Sequence, residues 1–101
     1  MDAVAAPGGL TLEPGHMSLS ALAPGMTGVV VRVGAPSGEL SPLDRRLLEL
    51  GFCNGEHIEI VAEARPGRDP FVVRVGHTTL ALRRREADNV WVEISRPGTA
   101  A

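Results

Sequence analysis

His57 and Glu59 stand two residues apart in a stretch, 56–63, whose residues alternate between apolar and polar, and both side chains can donate lone pairs to a divalent cation. In an extended strand, positions i and i+2 share a face at roughly 6 to 7 Å, a separation one ion can bridge. Two ligands do not close a tetrahedral site. A second copy of the chain across a twofold contact would supply four, with His16 or His77 as further donors, and the bridging metal would be zinc or iron. The plainer alternative is that His57 and Glu59 are the solvent face of a half-buried strand. An in-chain set this small argues against a tight iron store or sensor.

Covalent catalysis finds no support. Cys53 has only His57 near it in sequence, no serine sits in a nucleophile elbow, and the glycine-containing turns lack the Lys and Ser or Thr of a phosphate-cradling loop. No cofactor is required and the chain is read as non-enzymatic. A lone cysteine also excludes an internal disulfide and a zinc knuckle. The chain has 101 residues, 44% of them hydrophobic, and its three aromatics (Phe52, Phe71, Trp91) leave the core to Val, Leu and Ile, which disfavours a deep substrate pocket.

All ten basic residues are arginine, set against twelve acids for a net charge of −2, so there is no excess positive charge to hold nucleic acid. Arg83-Arg84-Arg85 is the one basic run; Glu86 and Asp88 cancel its field, and no aromatics interleave it to stack bases. It is read as a solvated face or as a docking contact. Arg83 either pairs with Glu86 or Asp88 or presents its guanidinium to a partner's carboxylate.

The elements that must position these residues follow from pattern and punctuation. Residues 28–33 are a β-branched run closed by Gly34 and read as a strand. Ser41-Pro42-Leu43-Asp44 is a helix start, with a capping hydroxyl, Pro at the first helical position and an acid at the positive helix end. Leu43, Leu47, Leu48 and Leu50 make an apolar stripe, and Gly51 is placed for a left-handed cap, so the helix covers about residues 42–50. Gly51 and Gly55 bracket a tight passage into strand 56–63, whose inner face is Ile58, Ile60 and Ala62. A turn cluster at 65–70 separates it from strand 71–75, Gly76-His77 turns into 78–82, residues 83–88 form one helical turn, and Val90, Val92 and Ile94 alternate in a last strand. The predicted fold is mostly β: a small closed barrel of about five strands, closure removing the sheet edges that invite aggregation. Residues 1–17 and 96–101, rich in Ala, Pro and Gly, read as flexible tails around a folded unit at 18–95. No stretch approaches a transmembrane helix and no signal peptide is apparent, so a cytoplasmic setting is expected.

Several of these residues recur together in a known family. Leu19, Leu22 and Gly25, Gly28 before the valine run, Arg46-Leu47 through Leu50-Gly51-Phe52, Gly55, Asp69-Pro70, Leu80-Ala81-Leu82-Arg83, Glu86-Ala87, Val90 and Val92 follow one another at spacings that resemble the FeoA family, ferrous iron transport protein A. Two positions depart from its pattern: Asn54 stands where a Pro usually precedes Gly55, and Arg68 lengthens the turn before Asp69-Pro70. The resemblance implies an SH3-like barrel and a cytosolic accessory role in ferrous iron uptake, docking on the cytoplasmic part of a FeoB-type membrane GTPase transporter at the inner face of the membrane. The docking surface expected on that basis comprises Leu43, Leu47, Phe52, Asn54 and Arg83. Similar barrels end iron-dependent repressors, so an interaction module of such a regulator is the second reading; no DNA-reading helices are present to make the chain a repressor itself. A metal-bridged homodimer is the third.

Overall fold

The structure, a computed structural model, describes residues 16–96. Strands β1 (His16–Ser18), β2 (Thr27–Val33), β3 (His57–Glu63), β4 (Phe71–Val75), β5 (Thr78–Leu82) and β6 (Val90–Arg96) form one antiparallel sheet in the order β1-β6-β2-β3-β4-β5. Helix α1 spans Pro42–Leu50, and 3-10 turns occupy Leu19–Ala21 and Arg84–Ala87. Residues 42–50 and the turn within 83–88 are therefore where the sequence pattern places them. The folded unit starts earlier and ends later than 18–95: His16 and Met17 pair with Glu93 and Val92, and Arg96 pairs with Thr27. Three residues are too few for alternation to show, which hides β1 from a pattern reading. Residues 1–15 and 97–101, the remainder of the two expected tails, lie outside the described residues.

The core is aliphatic with two phenylalanines. Val30, Ile58, Ile60, Val73, Val90 and Val92 line the inside of the rolled sheet, and Phe52 and Phe71 are wholly buried among them. Each such side chain contributes about 1.5 to 3 kcal/mol by leaving water. Gly28 sits where β2 meets β6: a Cβ there would lie 2.6 Å from the Glu93 carbonyl oxygen, so the close strand approach requires a residue without one.

Three register irregularities interrupt the ladders, one of them between Thr27 and Gly28 of β2. Between Ile60 and Ala62 the β3–β4 register shifts. The extra residue turns Ala62 outward, correcting its expected place beside Ile58 and Ile60, and turns Glu63 inward opposite Phe71. A further shift, between Val30 and Arg32, takes Val31 out of the β2–β6 ladder. Its carbonyl is satisfied instead by Asn54, whose Nδ2 donates at 2.7 Å.

Among the described residues no strand pairing closes the barrel. Strands β1 and β5 are the two edges of the sheet, and the seam between them is filled by the two 3-10 turns. From the second turn, Arg84 donates through Nη1 to the carbonyls of Ser20 (3.2 Å) and Leu22, and from the start of the first turn Ser18 Oγ donates to the Asp88 carbonyl at 2.9 Å. Among the described residues β1 and β5 share no ladder, so side chains close what backbone hydrogen bonds do not.

Candidate functional site

Helix α1 is fixed at both ends by its own residues. Ser41 Oγ accepts from the Asp44 N–H at 3.0 Å while the Asp44 carboxylate accepts from the Ser41 N–H at 3.0 Å, a reciprocal capping box, and Pro42 opens the helix. Gly51 ends it at φ 119, and the Phe52 N–H returns to the Leu47 carbonyl at 3.1 Å. This turn drives Phe52 into the core and leads through Gly55, at φ 95, into β3.

The expected docking residues separate into two groups. Leu47 (1% exposed) and Phe52 (0%) are core, so neither presents a surface; they hold the helix and its loop in place from inside. Leu43, at 39%, is exposed, and Leu50 stands two helical turns further along the same face, with Leu40 just ahead of the helix. Leu40, Leu43 and Leu50, three of the four large apolar residues exposed among those described, therefore belong to this one end of the molecule, with Arg45, Arg46 and Glu49 also exposed on α1. Beside the helix start lies an open groove of about 480 Å³ bordered by Glu39, Leu40, Asp44, Arg45 and Asn89. Asn54 is exposed, but its amide is engaged with Val31. Arg83 is exposed; Glu86 accepts its backbone N–H at 2.8 Å, and its guanidinium forms no ion pair among the described residues.

The outer face of the sheet carries the second cluster. His57 and Glu59 share that face and, with Thr27, Arg74 and Ser95, line a shallow concavity of about 340 Å³. Glu59 already has a cation: Arg74 Nη1 is 2.6 Å from its Oε1, across the β3–β4 pairing. A metal at this pair would compete with Arg74. His16 is three strands from His57, about 14 Å at ordinary strand spacing, too far to share an ion within one chain. No group of three His, Cys, Asp or Glu side chains able to hold a metal occurs among the described residues. Cys53 is exposed, and its Sγ donates to the Leu48 carbonyl at 3.6 Å.

Within the arginine run Arg83 and Arg85 are exposed, and Arg84 stands apart from them. Arg84 is neither solvated nor a docking group: its side chain is 14% exposed, its Nη2 lies 2.7 Å from Glu63 Oε1, and its guanidinium stacks 4.3 Å from the centre of the Phe71 ring. Nε donates to the Arg68 carbonyl at 3.1 Å, and the Arg84 N–H donates to Asp69 Oδ1 at 2.7 Å. Burial pulls the Arg84 guanidinium below its ordinary pKa, and the like charge of Arg68 adds to this, while Glu63 and Asp69 oppose it. Arg68, the residue that lengthens the turn, adopts φ 67 and reaches the same Glu63 oxygen at 3.1 Å.

The FeoA domain family matches residues 17–94, almost all of the described chain. The chain belongs to the FeoA family. A curated relative, the Fe(2+) transport protein A/Fe(2+) transporter FeoB fusion protein of Porphyromonas gingivalis, is 36% identical over 78 residues, 77% of this chain and 9% of that protein. The chain therefore spans about a tenth of the length of the curated relative it matches. Among solved structures, the zinc complex of FeoA from Stenotrophomonas maltophilia, an SH3 domain protein, superposes with a TM-score of 0.66 at 40% identity, covering 76% of this chain and 89% of that one. The expected SH3-like fold is thus the fold of this FeoA domain. A manganese-dependent transcriptional repressor aligns with TM-score 0.63 at 22% identity over 84% of this chain and 45% of its own, a likeness of fold alone.

Proposed function

We propose that this FeoA domain is a non-catalytic accessory and regulatory protein of ferrous iron uptake that docks on the cytoplasmic part of a FeoB-type GTPase transporter. The observation that carries the reading is the fusion relative, in which a domain like this one and a FeoB transporter are one polypeptide. Covalent tethering of two modules raises their effective concentration for each other and fits a pair that works in contact. The domain acts at the inner face of the cytoplasmic membrane; among the described residues no helix is long and apolar enough to cross a membrane.

The docking surface is the α1 end, where Leu40, Leu43 and Leu50 expose apolar area beside the charged Arg45, Arg46 and Glu49. Arg83 is a further contact, for a carboxylate. By binding one conformation of the transporter more tightly than another, a rigid domain shifts the balance between them without chemistry of its own. The test is a titration of the domain against the transporter's cytoplasmic part with GDP, a GTP analogue or no nucleotide. Affinity that depends on the nucleotide and falls at least tenfold in Leu43→Asp supports the reading. Absence of binding and of any change in GTP turnover in all three states overturns it.

His57 and Glu59 are the pair through which a divalent metal, zinc or iron, would bridge this domain to a second copy. The zinc bound by the Stenotrophomonas maltophilia protein supports metal affinity in the family.

A further inference from the structure

Strand β5 is the long edge of the sheet, and it carries none of the devices that normally protect one. It is Thr-Thr-Leu-Ala-Leu, without charge or proline, and its register with β4 runs unbroken from Val75↔Thr78 to Phe71↔Leu82, with no bulge to twist the edge away. The other edge, β1, is three residues long.

The backbone groups on this edge can be assigned. Gly76 and His77 form a two-residue hairpin turn, which makes Val75 and Thr78 a hydrogen-bonded pair. Alternation along an antiparallel ladder then commits the N–H and C=O groups of Thr78, Leu80 and Leu82 to β4 and points those of Thr79 and Ala81 away from it. Among the described residues, no backbone hydrogen bond outside the ladders uses the groups of Thr79 or Ala81. Thr79 and Ala81 are exposed, and Leu80, on the inner face, is only half-buried at the rim of the core. The ladder ends at Arg83, whose N–H is taken by Glu86.

From this geometry we infer that β5 is a self-association edge that pairs antiparallel with β5 of a second copy, on a twofold axis through Leu80. The occupant is a second copy because the donor and acceptor pattern is its own complement. With Leu80 facing Leu80, Thr79 of each chain faces Ala81 of the other, and both pairs exchange two hydrogen bonds, so all four outward N–H groups and all four outward carbonyls are satisfied. Moving the register by one step to Thr79 on Thr79 leaves the Ala81 groups of both chains unpaired. The same alignment brings the two Leu80 side chains together in a non-hydrogen-bonded pair, where side chains approach most closely, and covers the rim each one leaves open. Five residues a side bury less than a standard interface, so the association is weak, in the micromolar to millimolar range.

The experiment uses the full 101-residue chain, followed by sedimentation equilibrium and by amide hydrogen exchange across concentrations up to about 1 mM, where interfaces this small associate. The expected result is a monomer–dimer equilibrium in which protection at the Thr79 and Ala81 amides rises with concentration, while Leu80 and Leu82 are protected throughout. Ala81→Pro removes a donor that the monomer's ladder does not use, so it leaves the monomer's circular dichroism intact and abolishes the dimer. Should that variant fail to fold, Ala81→Lys keeps the N–H, sets like charges near the axis, and weakens the dimer at least tenfold. A strict monomer at all concentrations, a dimer indifferent to both folded variants, or Thr79 and Ala81 amides protected independently of concentration each overturns the inference. The last outcome would mean that another part of the same chain covers the edge.

Discussion

Removing the Arg84 side chain should open the barrel at its seam. Arg84→Ala deletes donors to the carbonyls of Ser20, Leu22 and Arg68 and the stack on Phe71, and it leaves Glu63, 7% exposed, without its closest cation. Breaking a buried ion pair from one side costs about 3 to 5 kcal/mol. Arg68 still reaches Glu63 at 3.1 Å from a half-exposed position, which holds the expected loss near the lower end, about 3 kcal/mol. For a domain of this size that is a fall in Tm of roughly 12 to 24 °C. Urea unfolding at neutral pH, with Arg83→Ala and Arg85→Ala as exposed neighbours of identical charge, isolates the effect: those two should change stability by no more than about 0.5 kcal/mol. Arg84→Lys keeps the charge but not the fan of donors, so its stability should fall between wild type and Arg84→Ala. Equal stability of Arg84→Ala and Arg85→Ala would refute the clasp.

Three further outcomes test other parts of the structure. Leu47→Ala should destabilise the domain by about 2 to 5 kcal/mol in urea melts, whereas Leu43→Ala, on the same helix but exposed, should cost less than about 1 kcal/mol. Gly28→Ala places a methyl 2.6 Å from the Glu93 carbonyl and should cost about 2 kcal/mol or more, with amide exchange accelerated along β2 and β6. In zinc titrations followed by solution mass, Arg74→Met should strengthen any zinc-dependent dimer by freeing Glu59, and His57→Ala should abolish it; a dimer unaffected by either places the metal elsewhere.

What the sequence discloses is local. The helix is legible to the residue because its start and stop are written in contiguous positions: Ser41, Pro42 and Asp44 at one end, Gly51 at the other. Strand alternation is legible up to the first bulge and fails after it, since one inserted residue moves Ala62 out and Glu63 in, and no local pattern records the insertion. The same limit governs the site residues. Leu43 and Leu47 look alike in a stripe of leucines, and only packing against the core tells that one is at 39% and the other at 1% exposure. Arg84 is identical in type to its neighbours Arg83 and Arg85, and the partners that single it out, Glu63 and Asp69, are 21 and 15 residues away. Both departures from the family pattern are structural: Asn54 answers the carbonyl that the β2 irregularity exposes, and Arg68 adds a second cation to Glu63.

The arrangement of these parts bears on how a domain without chemistry could regulate a partner. A ligand shifts an equilibrium only by its differential affinity for the two states, so a contact surface that deforms to fit both would shift nothing. Here α1 is held by caps encoded within it and anchored by Leu47 and Phe52, while the seam is locked by Arg84. The apolar residues at Leu40, Leu43 and Leu50 are therefore presented on a fixed frame. Leu47→Ala, which loosens the frame, should lower transporter binding together with stability, whereas Leu43→Asp should lower binding with stability nearly unchanged. If both variants lost binding in strict proportion to their loss of stability, the surface would have no role apart from the fold, and docking would have to be sought on another face of the barrel.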